Sequence, residues 1–94
     1  MRNLKRVEII ANHSVEQEIT DLLQARELLS HFTKIPSVHG QGNSEPKRGD
    51  HIWPEENFIL IIYGSEEKAA AVEAAVEEVR SQFPNEGICC FVTG

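Results

Sequence analysis

The fold is decided by one stretch of the sequence, FILIIYGS at residues 58–65. Its first six residues are apolar without a break, whereas a strand with one wet face alternates apolar and polar residues. The run therefore predicts a strand that is covered on both faces and lies at the centre of the core. Gly64 and Ser65 end it, and Ser65 is of a residue type that caps the N-terminus of a helix.

The sequence after this strand predicts a helix, a turn and a final strand. Glu66 and Glu67 suit a helix N-terminus, and apolar residues then recur at helical spacing, which predicts a second helix over about 66–82. Residues 84–87, PNEG, are typical of a turn. The apolar segment 88–92 is predicted to be the last strand.

The sequence before the central run predicts a strand and a helix. Residues 6–11 alternate, with Val7 and Ile9 on one side and Glu8 on the other, and this period indicates a first strand with one buried face. Ser14 followed by Gln17 matches a capping box. The apolar pattern after it predicts a first helix over about 15–28.

Residues 31–38 are rich in β-favouring side chains and predict the second strand, with Pro36 at an edge or a bulge because proline cannot donate a backbone hydrogen bond. The order βαββαβ predicts an α+β fold over residues 1–94, a ferredoxin-like sandwich with a four-stranded antiparallel sheet and both helices on one face. Such a sheet leaves its other face bare. Since the central strand is apolar on both sides, the sequence predicts an oligomer.

Composition limits the kinds of partner. Fifteen acidic and nine basic residues give a formal net charge of −6, which disfavours nucleic acid as a partner. No apolar run approaches the roughly 18 residues of a membrane span, and residues 1–5 do not read as a signal peptide, so we expect a cytoplasmic protein. Cys89 and Cys90 are adjacent in a predicted strand, where a bond between them would be strained. We expect one to be buried and neither to be functional.

A long polar segment separates the second and third strands, and loops of this size in small domains are usually functional or disordered. It reads TKIPSVHGQGNSEPKRGDHIWPEEN at residues 33–57. It gathers three glycines, three prolines, two histidines, Lys47, Arg48 and the only tryptophan, Trp53. We expect the function to lie in this loop.

Three short motifs, two in this loop and one near the C-terminus, carry a resemblance to a known family. Residues 38–42, VHGQG, are similar to the Val-x-Gly-x-Gly that closes the second strand of PII signal-transduction proteins and opens their T-loop. Residues 47–49, KRG, are similar to the Tyr-Arg-Gly at the loop tip. Residues 85–88, NEGI, lie where that family carries a phosphate-gripping Gly-Asp-Gly-Lys-Ile. With the element order, the chain resembles a divergent PII-like protein over nearly its whole length.

The resemblance implies a homotrimer with its sheets facing inward, small effectors in clefts between subunits, and a T-loop-like segment, residues 40–55, that touches a target protein such as a transporter or an enzyme. A Gly-rich polar segment can be ordered by a ligand and so act as a switch. The effector-binding residues that it implies are Gly40, Gln41, Gly42, Asn43, Glu86 and Gly87.

This sequence also departs from the family pattern. Lys47 stands in place of the modifiable tyrosine, so uridylylation there is not expected. The phosphate-gripping lysine is missing from residues 85–89, and Glu55 and Glu56 precede the third strand instead of basic residues. An adenine nucleotide is the implied ligand, but these changes disfavour a triphosphate.

The loop offers two further kinds of site. Lys47, Arg48, Asp50 and Trp53 could bind a partner, because tryptophan buries a large area and the basic pair suits an acidic patch; a solvated loop tip and a tryptophan that pins the loop base are the alternatives. His39 and His51 could hold a divalent metal, although their spacing matches no ligand motif.

Three classes of function remain open. A regulatory PII-like protein is the first. A divalent-metal-binding or metal-tolerance trimer resembling the CutA family is the second, and an interaction module without a ligand is the third. No nucleophile motif, paired carboxylates or Gly-rich loop before a helix is present, so we do not expect an enzyme.

Overall fold

The computed structural model describes residues 4–40 and 55–94. The chain alternates strands and helices in the predicted βαββαβ order, with a short 3₁₀ turn before the first helix. The elements are β1 (Lys5–Asn12), the 3₁₀ turn (His13–Val15), α1 (Glu16–Ala25), β2 (Phe32–Gly40), β3 (Glu55–Gly64), α2 (Glu66–Gln82) and β4 (Ile88–Thr93). All strands pair antiparallel in the order β2-β3-β1-β4, which confirms the predicted ferredoxin-like sandwich.

One face of the sheet packs against the two helices and forms the core. Alternate residues of β1 and β3 are buried there, and β3 is an inner strand, as the apolar run predicts. The helices contribute small and branched apolar side chains to the same cluster. The buried residues are Val7, Ile9, Ala11, Val15, Ile19, Leu23, Phe58, Leu60, Ile62, Ala69, Val72, Ala75, Val76, Val79 and Ile88.

The second helix begins and ends where the sequence predicts. The Ser65 side chain accepts a hydrogen bond from the backbone N–H of Lys68 at 3.1 Å, so it is the N-cap. Glu66 and Glu67 lie in the first turn, where the helix dipole favours negative charge. The buried apolar residues of α2 lie within these bounds, from Ala69 to Val79.

The first helix differs from its prediction at both ends. Ser14 does not cap it; the side chain of Asn12 instead accepts from the backbone N–H of Ser14 at 2.9 Å and caps the 3₁₀ turn. At the other end Glu27 has a left-handed backbone with φ 57°, and the N–H of Leu28 bonds to the carbonyl of Leu23 at 2.8 Å. This hydrogen-bonded C-terminal cap ends the helix at Ala25, three residues before the predicted end.

The second strand lies at the edge of the sheet, as its proline predicts. Its pairing with β3 shifts register between Ile35 and Val38, and Pro36 falls inside this irregularity. Proline has no backbone N–H to donate, and neither an edge position nor a bulge requires that hydrogen bond.

The other sheet face, which we call the open face, is covered by neither of the two described helices. It includes Arg6, Glu8, Ile10, Thr33, Ile35, Ile59, Ile61, Tyr63, Cys89, Phe91 and Thr93, and Asn12, Val38 and Asn57 continue it toward the loop end of the sheet. Three of its large side chains are well exposed in the single chain, Ile35 at 38%, Tyr63 at 44% and Phe91 at 54%. The central strand is thus covered on one face by its own chain, and its other face is apolar and bare.

Candidate functional site

The root of the T-loop-like segment lies at one end of the sheet. Gly40 ends β2 and pairs with Glu55, the first residue of β3. At the same end, Asn12 ends β1 and pairs with Asn57, while β4 starts at Ile88. Four chain segments therefore meet where the antiparallel strands begin or end.

The turn that contains Glu86 and Gly87 lies at this end as well, and it is tied to β1. The backbone N–H of Asn12 donates to the carbonyl of Gly87 at 3.0 Å. The Ser14 hydroxyl donates to Oε2 of Glu86 at 2.8 Å, across 72 positions of sequence. A backbone bond and a side-chain bond thus hold this turn, with the carboxylate of Glu86 on its surface.

The two described groups of implied effector residues stand on opposite edges of the sheet. Gly40 is on β2, and Glu86 and Gly87 directly precede β4. Three strand spacings separate these edges, which is about 14 Å. One ligand can contact both groups of residues only if it spans this width or lies in a cleft where the edges of two chains come together.

Glu16 links three elements beside this end of the sheet. Its Oε1 lies 2.8 Å from Nδ1 of His13, and its Oε2 pairs with the ammonium of Lys34 on β2. Partial burial acts to raise the pKa of Glu16, but the hydrogen bonds from Lys34 and His13 together lower it. The edge strand that leads to the loop is therefore fastened to the start of α1 by an ion pair.

Most of the loop residues that the sequence singles out lie outside the described residues. These are Gln41, Gly42, Asn43, Lys47, Arg48, Asp50, His51 and Trp53. His39, the other candidate metal ligand, is exposed at the end of β2 and pairs with Glu56. Among residues 4–40 and 55–94, no three His, Cys, Asp or Glu side chains lie close enough together to hold a metal ion.

The two cysteines are free and lie on opposite faces of β4. Cys89 is exposed on the open face, opposite Ile10. Cys90 is half-buried against the core, and burial raises the pKa of its thiol to about 11. A thiol in this state is a poor nucleophile and a poor metal ligand at neutral pH.

The contacts of Ser14, Glu16 and Lys34 are the part of this region that the sequence did not reveal. Ser14 carried a signal, since it was expected to cap a helix, but its bond goes to a turn far along the chain. Lys34 and Glu16 carried no signal, because their pairing depends on how the edge strand lies against α1.

Structural comparison relates the whole fold to PII-like proteins. CPII from Thiomonas intermedia K12, a nitrogen regulatory PII-like protein in a structure bound to ADP, AMP and bicarbonate, is 21% identical; the match covers 96% of this chain and 87% of CPII, with a TM-score of 0.69. A candidate PII-like signaling protein from Thermus thermophilus is 23% identical over 96% of this chain and 84% of its own, with a TM-score of 0.66. The likeness in fold confirms the resemblance that the element order indicates.

A second kind of protein shares the architecture less closely. The periplasmic divalent cation tolerance protein CutA from Archaeoglobus fulgidus is 19% identical over 94% of this chain and 81% of its own, with a TM-score of 0.57. No family model and no curated protein matches the sequence. At these identities the comparisons establish the fold. Within the described ranges, neither helix is long and apolar enough to cross a membrane.

Proposed function

We propose that this protein is a PII-like regulatory protein that binds a small effector and acts on a target protein through its T-loop-like segment, residues 40–55. The proposal rests above all on the match of 96% of the chain to CPII, whose structure is bound to ADP, AMP and bicarbonate. A fold alone hosts many functions, so the ligand has to be argued from the site.

Self-association is the first part of the proposal. Three large apolar side chains of the open face are 38% to 54% exposed, and apolar patches of that kind mark interaction sites. We assign this face to contacts between copies in a homotrimer, the assembly that the resemblance implies. A threefold ring with the open faces turned inward and the strands along its axis sets the β2 edge of one chain beside the β4 edge of the next.

The effector is the second part. In such a ring, Gly40 of one chain approaches Glu86 and Gly87 of its neighbour, so the groups that lie about 14 Å apart in one chain line a single cleft. Glycine lets an anion come close to the backbone, whereas a carboxylate accepts bonds from hydroxyl or amino groups and repels phosphate. This chemistry favours an adenine nucleotide with few phosphates, AMP or ADP, over ATP.

Calorimetric titration with AMP, ADP, ATP and bicarbonate, each alone, tests the effector. We expect AMP or ADP to bind with one site per chain and more tightly than ATP. Gly40→Asp should weaken nucleotide binding at least tenfold, because it puts a like charge beside the phosphate. The matched control is His39→Asp, which adds the same charge one residue away on the opposite side of β2. An intact assembly that binds no adenine nucleotide would refute this part.

The T-loop-like segment is the third part, and a loop replacement tests it. Exchanging residues 43–52 for a short Gly-Ser linker should leave the mass of the assembly unchanged but abolish capture of the target protein. If the shortened protein captures the same target in the same amount, the segment is not the switch. A protein that takes up divalent metal and no nucleotide would instead match the CutA-like alternative.

A further inference from the structure

Two charged side chains, Arg6 and Glu8, lie on the open face in the inner strand β1, toward the end of the sheet that is away from the loop. Nη2 of Arg6 lies 3.1 Å from Oε2 of Glu8, and Nη1 of Arg6 donates to the hydroxyl of Tyr63 at 3.1 Å. The guanidinium carbon of Arg6 is 5.9 Å from the centroid of the Tyr63 ring. Glu8 is flanked in register by Ile61 on β3 and Phe91 on β4.

Their surroundings make this pair unusual for a solvated surface. Among the open-face positions from Arg6 to Ile10 on β1 and their partners on the neighbouring strands, Arg6 and Glu8 are the two charged residues. The neighbours of Glu8 across both adjacent strands are large and apolar. An ion pair that is exposed to solvent contributes little to the stability of a single chain. The pair therefore contributes little to the stability of a single chain. Its contribution to the free energy of association becomes large once the open face is covered and water is excluded.

The charge distribution indicates what covers this face. The chain carries a net charge of −6, and the outer surface of α2 is rich in exposed glutamates, so copies repel each other through the helix layer. Around Arg6 and Glu8, the described positions of the open face hold one positive and one negative side chain and no net charge. A neutral apolar face with one charge of each sign is complementary to a second copy of itself, whereas a polyanion or an anionic lipid surface would meet no net positive charge.

The size of the face is that of an interaction surface. Four strands at about 4.8 Å spacing and about 3.4 Å per residue along the six residues of β4 span roughly 19 Å by 20 Å. That is a planar area of about 400 Å², which lies within the range of the largest apolar patches on monomeric proteins, and those patches are often functional.

We propose that Arg6 and Glu8 fix the register of self-association through the open face, with Arg6 of one copy donating to Glu8 of the next. This inference rests on the self-association in the proposed function. The bonds within the described chain use two of the five N–H donors of Arg6. The remaining donors can bond to a second carboxylate while both of these bonds are kept. A copy that docks in the wrong register leaves a charge buried and unpaired, which is strongly unfavourable and excludes that arrangement.

Mixing of charge-reversed variants tests whether the pair acts between chains. Arg6→Glu and Glu8→Arg are purified separately, checked for folding by far-UV circular dichroism, and analysed by native mass spectrometry and sedimentation. Each alone should associate at least tenfold more weakly than the wild type, a change of about 1.4 kcal/mol. An equimolar mixture should form assemblies that contain both masses, because the carboxylate introduced at position 6 of one variant then faces the guanidinium group introduced at position 8 of the other.

A matched control uses the Arg80 and Glu77 pair on the outer surface of α2, which has the same chemistry outside the open face. Arg80→Glu, Glu77→Arg and their mixture should all associate as the wild type does, since that pair lies away from the contact. Weakened association of these control variants would mean that charge reversal acts through the net charge of the chain and would overturn the inference.

The results at positions 6 and 8 separate this inference from the proposed function. Folded variants that associate like the wild type, or that stay apart when mixed, would overturn the inference. If charge reversal prevents folding, Arg6→Gln and Glu8→Gln remove one charge each, and unchanged association of both would overturn it equally. A wild-type assembly that binds no nucleotide contradicts the proposed effector alone.

Discussion

Two phenylalanines on opposite faces of the sheet give the sharpest test of whether the open face is covered. Phe58 is 0% exposed and belongs to the core between sheet and helices, whereas Phe91 is 54% exposed on the open face. Truncation to alanine removes the same atoms at both positions. Only the environment of the two rings differs, so the difference in cost measures what surrounds Phe91.

The expected magnitudes follow from these exposures. Phe58→Ala should lower the free energy of unfolding by about 3 to 5 kcal/mol, the usual cost of removing a buried aromatic ring. In a lone chain about half of Phe91 is already in water, so Phe91→Ala would cost about 1 kcal/mol. In an assembly that covers the open face, the cost should rise to about 3 kcal/mol per chain, close to that of Phe58→Ala.

Equilibrium unfolding in urea at two protein concentrations, about a hundredfold apart, measures both quantities. For chains that dissociate as they unfold, the midpoint rises with protein concentration, and we expect this for the wild type and for Phe58→Ala. Phe91→Ala should reduce the dependence on concentration. A cost near 1 kcal/mol for Phe91→Ala, with midpoints that do not change with concentration, would show that the open face stays in water.

Three further predictions concern the edge strand, the thiols and the second helix. The pKa of Glu16 is lowered in the folded chain, so its pairing with Lys34 stabilises the fold above the ordinary carboxylate pKa of about 4.3, and this stabilisation is lost as the pH falls through the folded pKa. In urea unfolding, Lys34→Met should lower the free energy of unfolding by up to about 1 kcal/mol at pH 8 and should have no effect near pH 2. An equal cost at both pH values would contradict this. In Cys90→Ala, a maleimide should label Cys89 at least tenfold more slowly in concentrated than in dilute protein, because self-association covers it; equal rates would count against coverage. Ser65→Ala should cost about 1 kcal/mol and lower the melting temperature by about 4 to 8 °C, and Ser65→Asp should restore it; no change on either substitution would mean that the cap is dispensable.

Local sequence patterns predicted the order of the helices and strands and most of their bounds. The alternation in β1 indicated which of its residues face the helices, and the core contains Val7, Ile9 and Ala11. The unbroken apolar run indicated that β3 is an inner strand, but not which of its residues face the helices. The second helix had a capping serine, acidic residues in its first turn and a regular apolar stripe, so several signals agreed on its bounds. Where the local signals agree, the tertiary contacts keep the helix within the bounds that the sequence predicts.

The misplaced ends of α1 show where local patterns are insufficient. Ser14 satisfied the capping pattern, but its hydroxyl bonds to Glu86 and the cap role passes to Asn12. Glu27 has a left-handed backbone conformation, which glutamate rarely adopts, so its residue type does not predict that the helix ends there. Both departures depend on particular backbone geometry and long-range contacts, which a single sequence does not encode locally.

The candidate site was predictable only in part for a related reason. One loop motif indicated Gly40 and a separate motif indicated the turn at 84–87, and the strand order explains how both come to the same end of the sheet. The ion pair of Lys34 with Glu16 joins an edge strand to a helix, so no motif announces it. The proposed nucleotide site needs contacts between chains, which no pattern within one sequence describes.

Native mass spectrometry of the purified protein, alone and then with ATP, ADP, AMP, bicarbonate and divalent metal ions added singly, examines the assembly and its ligand together. We expect a trimer that takes up one AMP or ADP per chain and binds ATP more weakly. A monomer at all concentrations would contradict the assignment of the open face to self-association, and a trimer that takes up only metal ions, or nothing, would contradict the proposed effector.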